Sequence, residues 1–495
     1  MMSAPRSQHI GAALAHAFSP AAWRGAFVLR PADAIFATAI KVGVAASIVL
    51  LAGGLLGERQ LAGIAALGAL TSAFGRYQPY SRLARMMAIV AIGMLVSIAV
   101  GALLGAAGVT MLSQIVLLSA LAAVASHIFT AFRITGPGAV ILVFAAGAGA
   151  GYTHNFAALP RPLIAMGIGV VVGWLAAMAP VLVVPLGPAR LAVARALAAV
   201  RKPATDDAGP HRDAAATALR SARESVILSS GNFRRNSRRS QRLHHHARHL
   251  HALLNEAAAA WELGNTAHSS PAAHAALSKL ADHEKALRRL GGIPVPGEHM
   301  PDASSNDAAA AWAEPPTFFA AALPGLGSAS SMVHALRIAA AAMLSGWAAV
   351  GLGFDHPLWA TMGAVAALQG MNYAMTVQRS IQRLVGNVVG AAVALVLLSL
   401  PLGFWPSVLL VVAFQVLAEL LVLKNYTLTT IAVTPMALIM TGLGSALEPT
   451  AAISRVADTL VGVVIGTLVA AVSISLADRH HVVDTKAAAL KRQLG

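Results

Sequence analysis

The sequence predicts an all-α integral membrane protein in which two parallel six-helix transmembrane repeats flank a helical cytoplasmic domain. Three observations predict it: an apolar composition, two long apolar blocks around a polar one, and basic residues recurring at a near-constant offset. Of 495 residues, 57% are hydrophobic and 11% charged, with a mean hydropathy of +0.69. Soluble domains run at about 45–50% apolar and about 25% charged, so this chain needs lipid to cover it. Aromatics make up only 5%, and the remaining apolar mass of Ala, Val, Leu and Gly suits close helix contact in a bilayer.

Residues 1–33 alternate apolar pieces with Arg6, Arg24, Arg30 and Asp33. They show no uninterrupted apolar stretch with a cleavage site, so no signal peptide is read there, and the first span is expected to act as the signal. The first repeat covers 34–186, with spans expected near 34–56, 59–75, 86–107, 111–131, 134–152 and 162–186. Each crossing needs about 20 residues. The second repeat covers 331–477, with spans near 332–354, 357–375, 384–402, 404–422, 427–445 and 455–477. The second helix of each set is short enough to be re-entrant. Between the repeats, 187–330 reads as helices over 189–201, 213–262 and 271–290, followed by a Pro/Ser/Ala-rich linker over 291–316. A basic tail, 478–495, ends the chain.

The charges predict the orientation. Arg76, Arg82 and Arg85 lie between spans two and three, Arg133 between four and five, and Arg379, Arg383 and Lys424 hold the equivalent places later. The opposite loops are nearly free of Lys and Arg. By the positive-inside rule both termini and the central block face the cytoplasm of a bacterial inner (plasma) membrane. That rule also absorbs much of the net charge of +16, which in a soluble chain would suggest nucleic acid; no nucleic-acid partner is expected. The stripe Arg234, Arg238 and Arg242 is read as meeting anionic membrane lipid.

The two blocks look like copies. Lys41 pairs with Arg337, Arg85 with Arg383, Arg133 with Lys424 and Arg161 with Arg455, at offsets of 291 to 298 residues. Gly169-x-x-x-Gly173 and Gly462-x-x-x-Gly466 follow at matching distance.

Candidate functional residues come from charge inside apolar runs. Arg383, Arg379, Arg85, Arg337 and Lys41 are substrate-path candidates, because guanidinium and ammonium groups would collect organic anions at a basic vestibule. The alternative is equally physical: Arg85 and Arg383 anchor topology on lipid phosphate, while Lys41 and Arg337 snorkel to the interface. Glu419, His127 and Asp458 are proton-coupling candidates, since an ionisable group in a span is costly and marks function by default. Asp458 follows Arg455 by three positions, so an i,i+3 ion pair is also available. Gly386, Gly390, Gly462 and Gly466 are read as helix-packing positions. Pro435 in mid-span is a weak sign of a locally loosened helix.

No catalytic residue, metal site or cofactor is expected. The chain has no cysteine, which removes disulfides, thiolate metal sites and Cys nucleophiles. The run His244, His245, His246, His249 and His251 lacks an H-E-x-x-H arrangement and reads as a solvated helix face. Neither a P-loop nor a G-x-S-x-G elbow occurs.

A further set of residues carries a resemblance. His356-Pro357-Leu358-Trp359-Ala360, then Arg379, Gln382, Arg383, Gly386 and Gly390, then Lys424-Asn425-Tyr426, Thr434-Pro435 and Arg455-x-x-Asp458-Thr459-x-x-Gly462 follow in order. Together they resemble the fusaric acid resistance family and its aromatic acid exporters. More distantly, they are similar to the aluminium-activated malate transporters of plants. The resemblance spans roughly 332–477. It departs at Asn387, where Thr is expected, and the first copy lacks the Trp and its companion glycine. It implies export of aromatic or other organic acid anions driven by an ion gradient, with a periplasmic adaptor protein as a further implied partner; apart from the resemblance, a homo-oligomer is among the partners considered, the oligomeric state being open. Two alternatives stay open: a passive anion channel, and a non-transporting membrane scaffold or sensor acting through the central domain.

Overall fold

The computed structural model describes residues 6–29, 36–202, 208–230, 238–266, 271–289, 293, 316–370, 372–444 and 448–473. Arg30, Asp33, Arg234, Arg235, most of the 291–316 linker and the 478–495 tail lie outside the described residues. The helices that carry the argument are, in the first part of the chain, α1 (Arg6–Ala17), α2 (Pro20–Phe27), α3 (Phe36–Leu55), α4 (Arg59–Ala69), α5 (Tyr80–Ala106), α6 (Met111–Ala131), α7 (Val140–Tyr152) and α8 (Pro160–Met178). Next come α9 (Gly187–Arg201), α10 (Ala208–Ser230), α11 (Arg238–Thr266) and α12 (Pro271–Arg288). The last set is α13 (Ala329–Gly351), α14 (Pro357–Ala367), α15 (Tyr373–Leu398), α16 (Phe404–Leu421), α17 (Tyr426–Thr441) and α18 (Thr450–Val472). No strand occurs among the described residues.

Eight of these helices, α3, α5, α6, α8, α13, α15, α16 and α18, are long and apolar enough to cross a membrane. The other four expected spans fall short: α4, α7, α14 and α17 have 11, 13, 11 and 16 residues. At 1.5 Å per residue they reach about 16–24 Å, against a hydrocarbon core of about 30 Å. Short second helices were foreseen; short fifth helices are a correction. The span expected from residue 134 begins only at Val140, after Pro137 and a left-handed Gly138 (φ 86°). Both sets therefore run long, short, long, long, short, long.

A second correction concerns the third helix of each set. It starts at Tyr80 and Tyr373, not near 86 and 384. The added turns of α15 bury Thr376, Ser380, Gln382 and Arg383. Those polar side chains face protein, so hydropathy alone reads the segment as a loop.

Contacts divide the chain into two compact units: 1–74, 87–177 and 322–495 form one, and 75–86 with 178–321 the other. In the first unit, the opening helix of each set packs on the fourth helix of the other, α3 on α16 and α13 on α6. Within the later set α14 lies along α18 and α15 along α17. Glycine makes these approaches close. A Cβ on Gly386 would sit 2.6 Å from Thr430 Cβ, and one on Gly390 2.8 Å from Thr434 Cβ. One on Gly462 would run into the Ala360 carbonyl and lie 2.9 Å from the Ala364 nitrogen. In the earlier set Gly169 meets the Ala65 carbonyl in the same manner. Gly466 differs: a Cβ there would be 3.5 Å from Ala364 Cα, an ordinary contact.

The second unit holds α9 to α12 around Leu197, Val226, Leu250, Leu253, Leu254 and Leu280. The helix expected over 213–262 is instead two helices, α10 and α11, which pack against one another as a single rod cannot. Ser230-Gly231-Asn232 between them was an available turn signal. Ion pairs Arg201–Glu284 (2.6 Å) and Lys279–Glu256 (2.8 Å) tie α12 to its neighbours. Burial, with Arg223 nearby, holds His251 below its usual pKa. Among the described residues no group of three or more His, Asp or Glu is placed to hold a metal.

Candidate functional site

Three arginines of the later helix set, Arg379, Arg383 and Arg455, gather near Tyr426, at the first turn of α17. Asn425 caps that helix, its side chain accepting from the Thr427 N–H, and so fixes where the tyrosine ring enters. Arg383 Nη1 donates to Tyr426 Oη at 3.3 Å, and the Arg379 guanidinium lies 4.3 Å over the tyrosine ring. Arg379 also donates to Gln369 Oε1 at 3.1 Å. From α18, Arg455 comes within electrostatic reach of Arg383, Asp458 and Tyr426, with its guanidinium 4.9 Å over the Trp359 ring. Three guanidinium groups thus share one region of α14, α15, α17 and α18.

Burial sets the energetics. Arg383 and Arg455 are each 8% exposed and Asp458 is fully buried. The Nε atoms of Arg383 and Arg455, and both carboxylate oxygens of Asp458, find no hydrogen-bond partner among the described residues. Arg455 and Asp458 make no hydrogen bond to one another, so the i,i+3 spacing yields two charges that act on each other without direct contact. The Arg455 guanidinium is turned onto Trp359 instead. A buried donor left open costs roughly 1–3 kcal/mol, more when charged. The region therefore holds two open guanidinium donors beside two open carboxylate acceptors among the described residues.

Beside this cluster lies a cavity of about 340 Å³. Its walls come from all four short helices: Gln60 and Ile64 of α4, Phe144 and Tyr152 of α7, Trp359 of α14 and Met440 of α17. Helices that stop part-way leave this room between them. His356 stacks on Trp359, centroids 4.3 Å apart and planes 10° from parallel, so Trp359 faces the cavity and Arg455 at once. The lining is mostly aromatic and aliphatic with a few polar groups, the usual character of a small-molecule pocket.

The sequence-derived candidates separate under this geometry. Arg379, Arg383 and Asp458 belong to the cluster. Arg383 is not at a helix start, as its placement before residue 384 implied, but ten residues into α15. Arg85 is exposed and falls in the other compact unit. Arg337, on α13, lines a small separate recess with His334 and Tyr373. Lys41 is half-buried on α3. His127 lies 3.0 Å from Ser331 Oγ and 3.1 Å from the Leu326 carbonyl, joining α6 to the start of α13, and Glu419 is buried on α16. Sequence reading passed over Tyr426 and Trp359 as site residues, although both stand in the motifs that carry the resemblance.

Residues 338–469 match the family model described as fusaric acid resistance protein-like. The later helix set is a fusaric acid resistance-like region. That region contains Trp359, Arg379, Arg383, Tyr426, Arg455 and Asp458, whereas Lys41, Arg85, His127 and Arg337 lie outside it. A curated relative, "Uncharacterized membrane protein YvaC" of Bacillus subtilis (strain 168), is 31% identical over 139 residues. The match covers 28% of this chain and 22% of that protein, so the chain spans about a fifth of the relative's length. No solved structure matches. The chain is a multi-pass membrane protein whose arginine cluster lies inside the fusaric acid resistance-like region, while the neighbouring cavity is lined also by residues before it.

Proposed function

We propose that this protein exports organic acid anions, aromatic acids foremost, across a bacterial inner membrane at the expense of a proton gradient. The observation that carries the reading is the buried surplus of guanidinium around Tyr426, with donors open and Trp359 leading to an aromatic-lined cavity. Surplus positive charge in a low-dielectric site is costly until an anion completes it. A carboxylate matches guanidinium with two parallel acceptors, and the ring it carries is suited to Trp359, Phe144 and Tyr152. Asp458, whose carboxylate oxygens accept no hydrogen bond beside Arg455, is the group that takes up and returns the proton. On this reading the two helix sets are parallel repeats, a periplasmic adaptor completes the export route, and both termini are cytoplasmic. Arg133 and Lys424 at corresponding loops, with Arg76 between the second and third helices, support that orientation.

Orientation is checked by labelling: a Lys285→Cys variant should resist an impermeant maleimide in intact cells and react once the inner face is opened. Reaction in intact cells would reverse the topology. Transport is checked by efflux from liposomes loaded with benzoate. An imposed proton gradient should accelerate release through the intact protein, and a protonophore should abolish that acceleration. Asp458→Asn should release benzoate at one rate with or without the gradient. Gradient-independent release by the unaltered protein would identify a channel, and no release a scaffold.

A further inference from the structure

The N-terminal segment makes an unusual set of hydrogen bonds within the first unit. Helix α2 packs across α15, and α1 contacts both α2 and α18. The bonds come from side chains of the later helix set and end on backbone carbonyls of the segment. Tyr373 Oη donates to the Ala13 carbonyl at 2.7 Å, Gln378 Nε2 to Gly25 at 3.0 Å and Gln382 Nε2 to Ala26 at 2.7 Å. Asn425 Nδ2 donates to Ala26 at 2.9 Å and to Val28 at 3.2 Å. Tyr373, Gln382 and Asn425 are 3%, 6% and 6% exposed, and Ala13 and Ala26 are fully buried.

The position of these donors is informative. Gln382 precedes Arg383 and Asn425 precedes Tyr426 in the chain, so two of the donors stand on residues adjoining the arginine cluster. They sit at the end of the set where α15 and α17 begin, whereas the 340 Å³ cavity is lined by the beginnings of α4 and α14 and the ends of α7 and α17. A carbonyl oxygen accepts from the same donors as a carboxylate oxygen. While α1 and α2 are seated, four amide and hydroxyl groups, those of Tyr373, Gln378, Gln382 and Asn425, are occupied; with both helices gone, they would be uncovered and unbonded unless something replaced the carbonyls. An incoming carboxylate or water can.

We propose that the helix pair α1–α2 is a removable plug, closing the α15–α17 end of the pathway by offering its own carbonyl oxygens to donors beside the arginine cluster. What the plug blocks rests on the transport reading above; that it seats and unseats does not. Anion approaching from that end competes with α2 for the same donors, so substrate would promote opening.

The chain lacks cysteine, which allows a direct test in the full-length protein. Ile381, 6% exposed and in one apolar cluster with Ala22 and Ala26 of α2, is replaced by Cys, and its reaction with an aqueous maleimide is timed in detergent. A second protein adds Gly25→Cys and Gln378→Cys, bridged by a short bis-maleimide before Ile381→Cys is exposed to a second label through a protected thiol. A Cβ at Gly25 meets nothing within 4 Å, so the first change is accommodated. Bridging should slow labelling at 381 at least tenfold relative to the unbridged protein, and benzoate at millimolar concentration should speed labelling of the unbridged protein only. In benzoate-loaded liposomes, bridging with a bis-maleimide whose spacer contains a disulfide should stop efflux, and reducing that disulfide should restore it. Removal of residues 1–27 should speed labelling further; if that truncation does not fold, the bridged comparison decides. Equal labelling with and without the bridge, or undiminished efflux through the bridged protein, would overturn the plug. Bridge-sensitive labelling with no efflux from any form would retain the plug and reject transport.

Discussion

Gly462→Leu is expected to abolish a folded, monodisperse product, while Gly466→Ala, one turn further along α18, is expected to be tolerated. A Cβ at 462 is directed into the Ala360 carbonyl and toward Gly363 and Ala364, all backbone atoms that cannot swing aside. At 466 the same atom would be 3.5 Å from Ala364 Cα, so a methyl fits. Overpacking a core with side-chain neighbours costs about 1–3 kcal/mol; here two helix backbones must part, so the cost should exceed about 3 kcal/mol and separate α14 from α18. Because those helices carry Trp359 and Arg455, any protein that survives should also lose the cluster. Size-exclusion profiles and thermal unfolding of the two variants side by side check this. Similar behaviour of both would mean that α14 and α18 are not in backbone contact.

Arg383→Lys is expected to leave insertion and thermal stability close to those of the unaltered protein and to slow efflux of aromatic carboxylates by at least tenfold. Lysine keeps the positive charge that the orientation rule uses, so a topology anchor would tolerate it. It replaces a planar fork by a point charge and loses both the donor to Tyr426 Oη and the open Nε. The corresponding Arg85→Lys should slow efflux far less, because Arg85 is exposed where Arg383 is buried. Equal losses at both positions would argue for two symmetric sites, and no loss at Arg383 would reduce it to an anchor. Initial efflux rates at matched protein density in liposomes decide between these outcomes.

Much of this architecture was legible in the sequence because lipid imposes strong rules. Length and hydropathy located the long helices, and the small residues at 386, 390 and 462 marked helices that touch. Where the rules are blind, the reading failed for identifiable reasons. The first turns of α15 are polar yet buried by protein, so a hydropathy argument placed Arg383 at a helix end. Gly138 and Pro137 shortened α7 through backbone geometry that an apolar count ignores. The Arg455-to-Asp458 spacing brings the two charges within electrostatic reach, but the guanidinium lies over the Trp359 face and makes no hydrogen bond to the carboxylate. Tyr426 was hidden because a tyrosine at a helix start has many ordinary uses. The contacts of α1 and α2 left no trace at all, since their acceptors are backbone carbonyls, which every residue carries.

The central claim is that open guanidinium donors around Tyr426 bind the carboxylate of an aromatic acid, and the most direct measurement is calorimetric binding to the purified full-length protein. Benzoate and its neutral isostere benzamide share ring and size and differ in charge and in the second acceptor. The account predicts saturable binding of benzoate, weakened at least tenfold by Arg383→Lys, with benzamide binding too weakly to saturate in either protein. Equal affinity for the acid and the amide, or benzoate binding unaltered by Arg383→Lys, would contradict it.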